Sequence, residues 1–267
     1  MTTVEKMPVL FVGHGNPMNA IQENEYTKTW NLLGESIPIP RLILCISAHW
    51  ETRGTHITAM PNPRTIHDFG GFPKELYDVR YPAPGFPLFA EEIRDRNPDL
   101  NIGLDTNEWG FDHGSWSVIR HIYPDANIPM VQLSIDHFAS FEQHYTLAKQ
   151  LNYLRNQGVL VIGSGNIVHN LRAVDWHNRV EGYDWAVEVR DNVNQWLTER
   201  NHEELISITQ KGGNYRMAIP TSEHYVPLLY AVAMQEDNEK ISLFNDRLTM
   251  GSLSMTGVRI PFQGAGG

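Results

Sequence analysis

Short apolar runs that each end in a polar or glycine-bearing turn constrain this chain more than any other feature. Val9–Val12, Leu42–Ser47, His56–Ala59, Met130–Ile135 and Val159–Gly163 are rich in Val, Ile and Leu and are of strand length. Between them lie segments with helical spacing of apolar residues: Asn24–Leu33, Leu88–Asp95, Gly114–Ile122, Ser140–Asn156, Trp185–Arg200 and Val226–Met234. The alternating segment Ser252–Ile260 predicts one more strand. Strands separated by helices predict a single α/β domain with a central mixed, largely parallel sheet flanked by helices on both faces. In such sheets ligands gather beyond the carboxyl ends of the strands. His14 follows the first run, His49 the second, Asp136 the fourth, and Gly163–His169 the fifth, so polar groups are predicted to converge on one sheet edge.

The remaining composition narrows the class. No apolar run approaches the ~20 residues that span a bilayer, and the N-terminal stretch lacks the apolar region of a secretory signal. One cysteine, Cys45, allows no internal disulfide and fits a reducing compartment, which predicts a cytoplasmic protein. The 31 acidic residues against 21 basic ones give a net charge of −10, which repels phosphate backbones and anionic membranes. Neither nucleic acid nor a membrane is therefore an expected partner. The stretch Pro61–Pro87 is Pro-rich yet carries Phe69, Phe72, Tyr77, Tyr81 and Phe86, which predicts an ordered loop over a site rather than a linker.

Twelve histidines stand out, because imidazole is both a metal ligand and a proton carrier near neutral pH. His14 lies in Gly13-His14-Gly15-Asn16-Pro17, where it is equally readable as a ligand or as a turn histidine bonded to backbone. His49, in Ser47-Ala48-His49-Trp50, alone reads as a buried residue packed on Trp50. His113 sits between Asp112 and Gly114, readable as an exposed residue behind a helix cap. His169 follows a glycine-bearing turn and could be a helix-start histidine bonded to Asn166 or Asn170. His224 precedes an apolar helix for which Ser222 is a reasonable N-cap, and His67 lies in the aromatic loop, suited to touching substrate. His56, His121, His137, His144, His177 and His202 lack this framing, and His144 and His202 are expected to be solvated on helices. No His-Glu-x-x-His, paired Cys-x-x-Cys, P-loop, full dinucleotide fingerprint or Gly-x-Ser-x-Gly elbow is present. Cys45, inside an apolar run, reads as core.

Taken together, the motifs resemble a known family. They are Gly13-His14-Gly15-Asn16-Pro17-Met18, Ser47-Ala48-His49-Trp50, His67-Asp68-Phe69-Gly70-Gly71-Phe72-Pro73 and Tyr81-Pro82-Ala83-Pro84-Gly85, followed by Gly110-Phe111-Asp112-His113-Gly114, Pro129–Ser134, Gly165–Asn170 and Glu223–Leu229. In order and identity they resemble the DOPA 4,5-dioxygenase family of LigB-like extradiol dioxygenases, across nearly the whole chain. The resemblance implies one LigB-like catalytic domain over residues 1–267. It implies His14, His49 and His224 as ligands of one divalent metal, with His169 as catalytic acid/base and fourth ligand when substrate is absent. It implies that His113 contacts substrate or oxygen. Many LigB-type enzymes include a carboxylate in the ligand set, so Glu223 competes with His224 for the third position. The implied reaction is extradiol opening of a catechol ring by O2, with L-DOPA cleaved at 4,5 to a muconic semialdehyde. Fe2+ is expected for that reaction, and Zn2+ fits the same ligands but has no redox chemistry. The alternatives are a zinc hydrolase of a small aromatic substrate and a metal-stabilised binding protein. The surplus of framed histidines over the needs of a structural site favours an enzyme.

Overall fold

The computed structural model describes residues 5–177 and 182–261. The domain expected over 1–267 also includes 1–4, 178–181 and 262–267, which lie outside the described residues. Among the described residues, eight strands form one sheet: β1 (Val9–Gly13), β2 (Leu42–Thr52), β3 (His56–Thr58), β4 (Gly103–Asp105), β5 (Met130–Asp136), β6 (Val159–Gly165), β7 (Ser242–Phe244) and β8 (Gly257–Ile260). Their spatial order is β4-β3-β5-β2-β6-β1-β8-β7. The central four, β5-β2-β6-β1, are parallel, with Ile43 opposite Met130, Leu42 opposite Val159 and Val9 opposite Val161. Pairings at β3–β5, β1–β8 and β8–β7 are antiparallel.

Buried strands explain the continuous apolar runs. Along β2, Leu42, Leu44 and Ile46 enter one core, while Ile43 and Cys45 enter the other. The first core is completed by α2 (Pro87–Arg96), α4 (Phe141–Gln150), α5 (Asp184–Thr198) and α6 (Val226–Ala233). The second is completed by α1 (Glu25–Ser36) and α3 (His113–Ile122), through Trp30, Leu33, Trp116 and Ile119. Each fully buried Leu, Ile or Val contributes roughly 1.5–3 kcal/mol, and this two-sided burial fixes the strand ends that carry the polar motifs.

The second strand runs on to Thr52, the edge strands Gly103–Asp105 and Ser242–Phe244 are additional to those expected, and two further elements depart from the expected ranges. The helix expected over Ser140–Asn156 is capped by Ser140 but ends at Gln150, where a 3-10 turn, Asn152–Gln157, takes over. That turn ends on Gly158 at φ 76°, a left-handed residue that lets the chain re-enter the sheet at Val159. The strand expected over Ser252–Ile260 is broken. Leu253–Ser254 pairs with Leu248–Thr249, and only Gly257–Ile260 joins the main sheet. Between them Ser254 Oγ bonds Thr256 Oγ1, which in turn donates to Asp246, so side chains compete with the backbone ladder. The Pro61–Pro87 stretch is ordered by a two-residue ladder, Arg64–Thr65 with Gly110–Phe111, and by the short helix Lys74–Tyr77. No helix among the described residues is long and apolar enough to cross a membrane.

Candidate active site

The carboxyl edge of the parallel strands delivers three of the five clustered imidazoles. His14 follows β1 directly, and its backbone N–H donates to Gly165 O at the end of β6. His49 lies where β2 runs on past an irregularity in its register with β5. His169 sits just beyond β6, and His113 opens α3 behind its N-cap, Asp112. His224 precedes α6 on a turn whose carbonyl accepts from Asn166 N–H at 2.8 Å. That contact demands glycine at 165, because a Cβ there would meet the His224 carbonyl oxygen at 2.1 Å. Ser222 shapes this turn through its backbone carbonyl, which accepts from Tyr225 and Val226, and no side chain caps α6.

Ring nitrogens of His14, His49 and His224 all lie within 4.8 Å of one another. Nε2 of His14 stands 3.2 Å from Nε2 of His49. Two imidazole nitrogens each ~2.1 Å from a shared ion, at angles between octahedral and tetrahedral, are separated by about 3.0–3.4 Å. The spacing therefore fits a common cation. The outward nitrogens have oxygen partners: His14 Nδ1 on Ser164 Oγ at 3.0 Å, His49 Nδ1 near Asp68 Oδ2 at 3.3 Å, His224 Nδ1 near Glu223 Oε1 at 3.1 Å. Ser164 has one hydroxyl proton and gives it to the Gly114 carbonyl. It must then accept from His14, which places that ring's proton on Nδ1 and leaves Nε2 a bare lone pair. Oxygen partners on the far nitrogen are the usual way metal-binding imidazoles are oriented.

Electrostatics keep these rings neutral. Burial, reinforced by the neighbouring imidazoles, holds His14 and His224 well below the ordinary histidine value. Burial and the neighbouring His113 lower His49 to about 3, with Asp68 opposing. Burial lowers His169 to about 4, and its ring stacks on His224 at 3.4 Å between centroids. Asp68, from the aromatic loop, accepts from His113 N–H through Oδ1 and lies 3.0 Å from His113 Nδ1 through Oδ2. Burial pushes its carboxyl up, yet the contacts with His113 and His49 outweigh this and hold it below the usual range. Asp112 is fully buried. Burial and the charge of Asp68 raise it, against bonds from Ser47 and Gln132.

The cluster floors a cavity of about 280 Å³. Phe69, Phe72, Leu171, Val174, Trp176 and Leu253 make its walls largely apolar, and His14, His49, His113, His169 and His224 face it. The five histidines singled out for the metal and for catalysis thus come together. His67 does not. It packs on Phe69 and Trp116, with Nε2 on the Val79 carbonyl, outside the cavity lining. Among the remaining histidines, His144 corrects an expectation: it is buried, with Nδ1 on the Tyr230 hydroxyl. His202 is likewise held, between Tyr145 and Gln235. Both face helix-packing seams that a polar-looking helix sequence conceals. Reasoning from sequence passed over Asp68 and Ser164 as partners of the imidazoles. Asp68 was visible beside His67 in the aromatic loop, whereas nothing local marks Ser164.

The fold and the site describe an α/β protein that gathers neutral imidazoles beyond the carboxyl ends of its central strands. Residues 10–258 match the family described as the catalytic LigB subunit of aromatic ring-opening dioxygenase. The chain is 46% identical over 259 residues to the 4,5-DOPA dioxygenase extradiol of Escherichia coli K12, covering 96% of this chain and 95% of that one. It is 34% identical to the Beta vulgaris protein of the same name, over 91% of this chain and 92% of that one. The crystal structure of an uncharacterized protein from Escherichia coli K12 superposes with a TM-score of 0.84 at 41% identity, covering 96% of this chain and all of that one. The chain belongs to the LigB family of aromatic ring-opening dioxygenases, and it is an enzyme of the extradiol type.

Proposed function

We propose that this enzyme opens the ring of a catechol with O2, and that L-DOPA cleaved at 4,5 to a muconic semialdehyde represents its substrate class. The observation that carries the reading is the pair of Nε2 atoms of His14 and His49 facing each other at 3.2 Å in a buried, uncharged imidazole cluster. His14, His49 and His224 hold the metal, with Glu223 orienting His224 rather than replacing it. Fe2+ held by these residues would supply positive charge that lowers the pKa of a catechol hydroxyl and would pass electron density from the substrate to O2, with no net oxidation of the metal. Zn2+ on the same nitrogens gives a faithful but redox-silent site.

The chain's own groups do the rest. His169 is neutral at pH 7, so it takes a phenolic proton on its ring nitrogen and returns it as an acid. General acid–base help of this kind contributes ~10²–10⁴-fold. His113, held by Asp68 through its backbone N–H and with Nδ1 3.0 Å from the same carboxylate, presents its other nitrogen to substrate or oxygen. Phe69 and Phe72 of the aromatic loop pack on the ring and keep water out. The lone cysteine, buried at Cys45, supports a cytoplasmic setting. Anaerobic loading with Fe2+ followed by O2 tests the reading. Catechols should yield a yellow semialdehyde with one O2 consumed per ring, and absence of O2 uptake overturns it.

A further inference from the structure

The cavity over the imidazoles is not closed at its outer end. A second cavity of about 540 Å³ shares Asn16, Trp176, Met250 and Leu253 with it, so the two are neighbouring chambers divided by a common wall. Their chemistry differs. The inner walls are dominated by Phe69, Phe72, Leu171 and Val174, whereas the outer chamber is lined by amides, a phenol and a carboxylate, including Asn19, Gln22, Tyr26 and Glu25, the last paired with Arg247 at 3.2 Å. An inner volume of about 280 Å³ sits just below the usual ~300–1,000 Å³ of small-molecule sites. It suits an aromatic ring, and a substituted ring extends into the wall.

Asn16 stands in that wall. Its Oδ1 accepts from Met18 N–H at 2.9 Å as the cap of the 3-10 turn Pro17–Ala20, which fixes the side-chain amide. With the oxygen committed, the Nδ2 donors are the part of the amide left for a ligand. Asn24, by contrast, spends both ends inside the protein, on Tyr26 and Thr27 and on Asn19.

We infer that the outer chamber receives the ring substituent of the catechol and that Asn16 is a specificity-determining residue, donating from Nδ2 to a carbonyl or carboxylate oxygen on that substituent. The preferred substrates are therefore catechols whose side chain carries a carbonyl carbon three bonds from the ring, in place of bare or alkyl catechols. The inference rests on the proposed catechol site.

Asn16→Asp is the informative variant, because it keeps the Oδ1 cap on Met18 and replaces the donor with an oxygen. Two neutral isosteres serve as probes: 4-(3,4-dihydroxyphenyl)butan-2-one, with an acceptor, and 4-(3-methylbutyl)catechol, without one. Their dissociation constants are measured by calorimetry on the protein with and without Zn2+, which permits binding but no turnover. The wild-type protein should favour the ketone, and Asn16→Asp should cut that preference about 10-fold, the scale of one hydrogen bond. An unchanged preference in the variant, or a wild type that favours the alkyl probe, overturns the Asn16 subsite. Binding of both probes that Zn2+ fails to strengthen overturns the histidine-centre reading instead, while the preference ratio still decides the subsite. Failure of both probes to bind overturns both.

Discussion

The two ends of the parallel strands both bury polar groups, and they treat them in opposite ways. At the amino ends, Arg155 is fully enclosed, and its guanidinium donates from Nε to Met7 O, from Nη1 to Met234 O and Glu239, and from Nη2 to Glu239. Glu239 in turn takes Lys6 and the Glu236 N–H, so each charge is matched inside the protein. At the carboxyl ends, imidazole nitrogens face one another with their outward partners already used. The first arrangement is complete without a ligand, and the second is complete only with one. One helix, α6, spans the difference: His224 precedes it and Met234 closes it. Saturation marks structure, and shared deficiency marks a site.

Substitutions at each end should separate these roles. The largest effect is expected for His14→Ala, which should lower metal affinity by more than the ~10–100-fold cost of losing an outer partner and abolish O2 uptake. Metal titration and an O2 electrode check this, and retained affinity would erase the contrast. Glu239→Ala leaves Arg155 buried and unmatched, which should cost about 3–5 kcal/mol in a denaturant melt. Its metal affinity should stay unchanged, and a large loss there would show that the two ends are coupled. Ser164→Ala removes the acceptor that sets the His14 tautomer, so metal affinity should fall about 10–100-fold with little change in fold stability. Nitrogen NMR of the metal-free variant reads the tautomer directly.

The smallest expected effect per residue is the response to acid. The buried imidazoles titrate below 6.5 when folded, so the unfolded chain binds protons first as the pH drops. Stability present above pH 6.5 is lost from there toward about 4, where His169 titrates in the fold. Moving from pH 7 to 5 should cost on the order of 1–2 kcal/mol per such histidine. Glu239 has the same sense in a lower window: its contacts with Arg155 outweigh burial and hold its carboxyl below the ordinary value, so its contribution is lost only at lower pH. A melt that is flat between pH 7 and 5 would contradict the imidazole assignment.

Much of this arrangement was legible in the sequence, for identifiable reasons. Continuous apolar runs followed by His14, His49 and the Gly163–His169 turn placed the strands and the edge that carries the site, because period and burial are local properties. The broken strand at Ser254–Thr256 was hidden, since its interruption comes from a hydroxyl relay to Asp246 that no apolar pattern reports. His144 looked solvated for a similar reason: its partner, Tyr230, lies on α6, far along the chain. Asp68 and Ser164 escaped because a partner to an imidazole is defined across elements. The roles of His14, His49, His224, His113 and His169 came from resemblance, and their convergence on one cavity is a property of the fold.

That convergence has a consequence for how the protein comes into being. His14 and His224 lie near opposite ends of the chain, and the Gly165–His224 contact that seats the latter forms only when α6 packs beneath the sheet. The constellation does not exist until the segment carrying His224, more than two hundred residues after His14, has joined the fold. An ion held by both His14 and His224 would therefore bind a chain already folded on its own packing and would not nucleate that folding. Which metal such an imidazole site would take depends on availability as much as on the ligands.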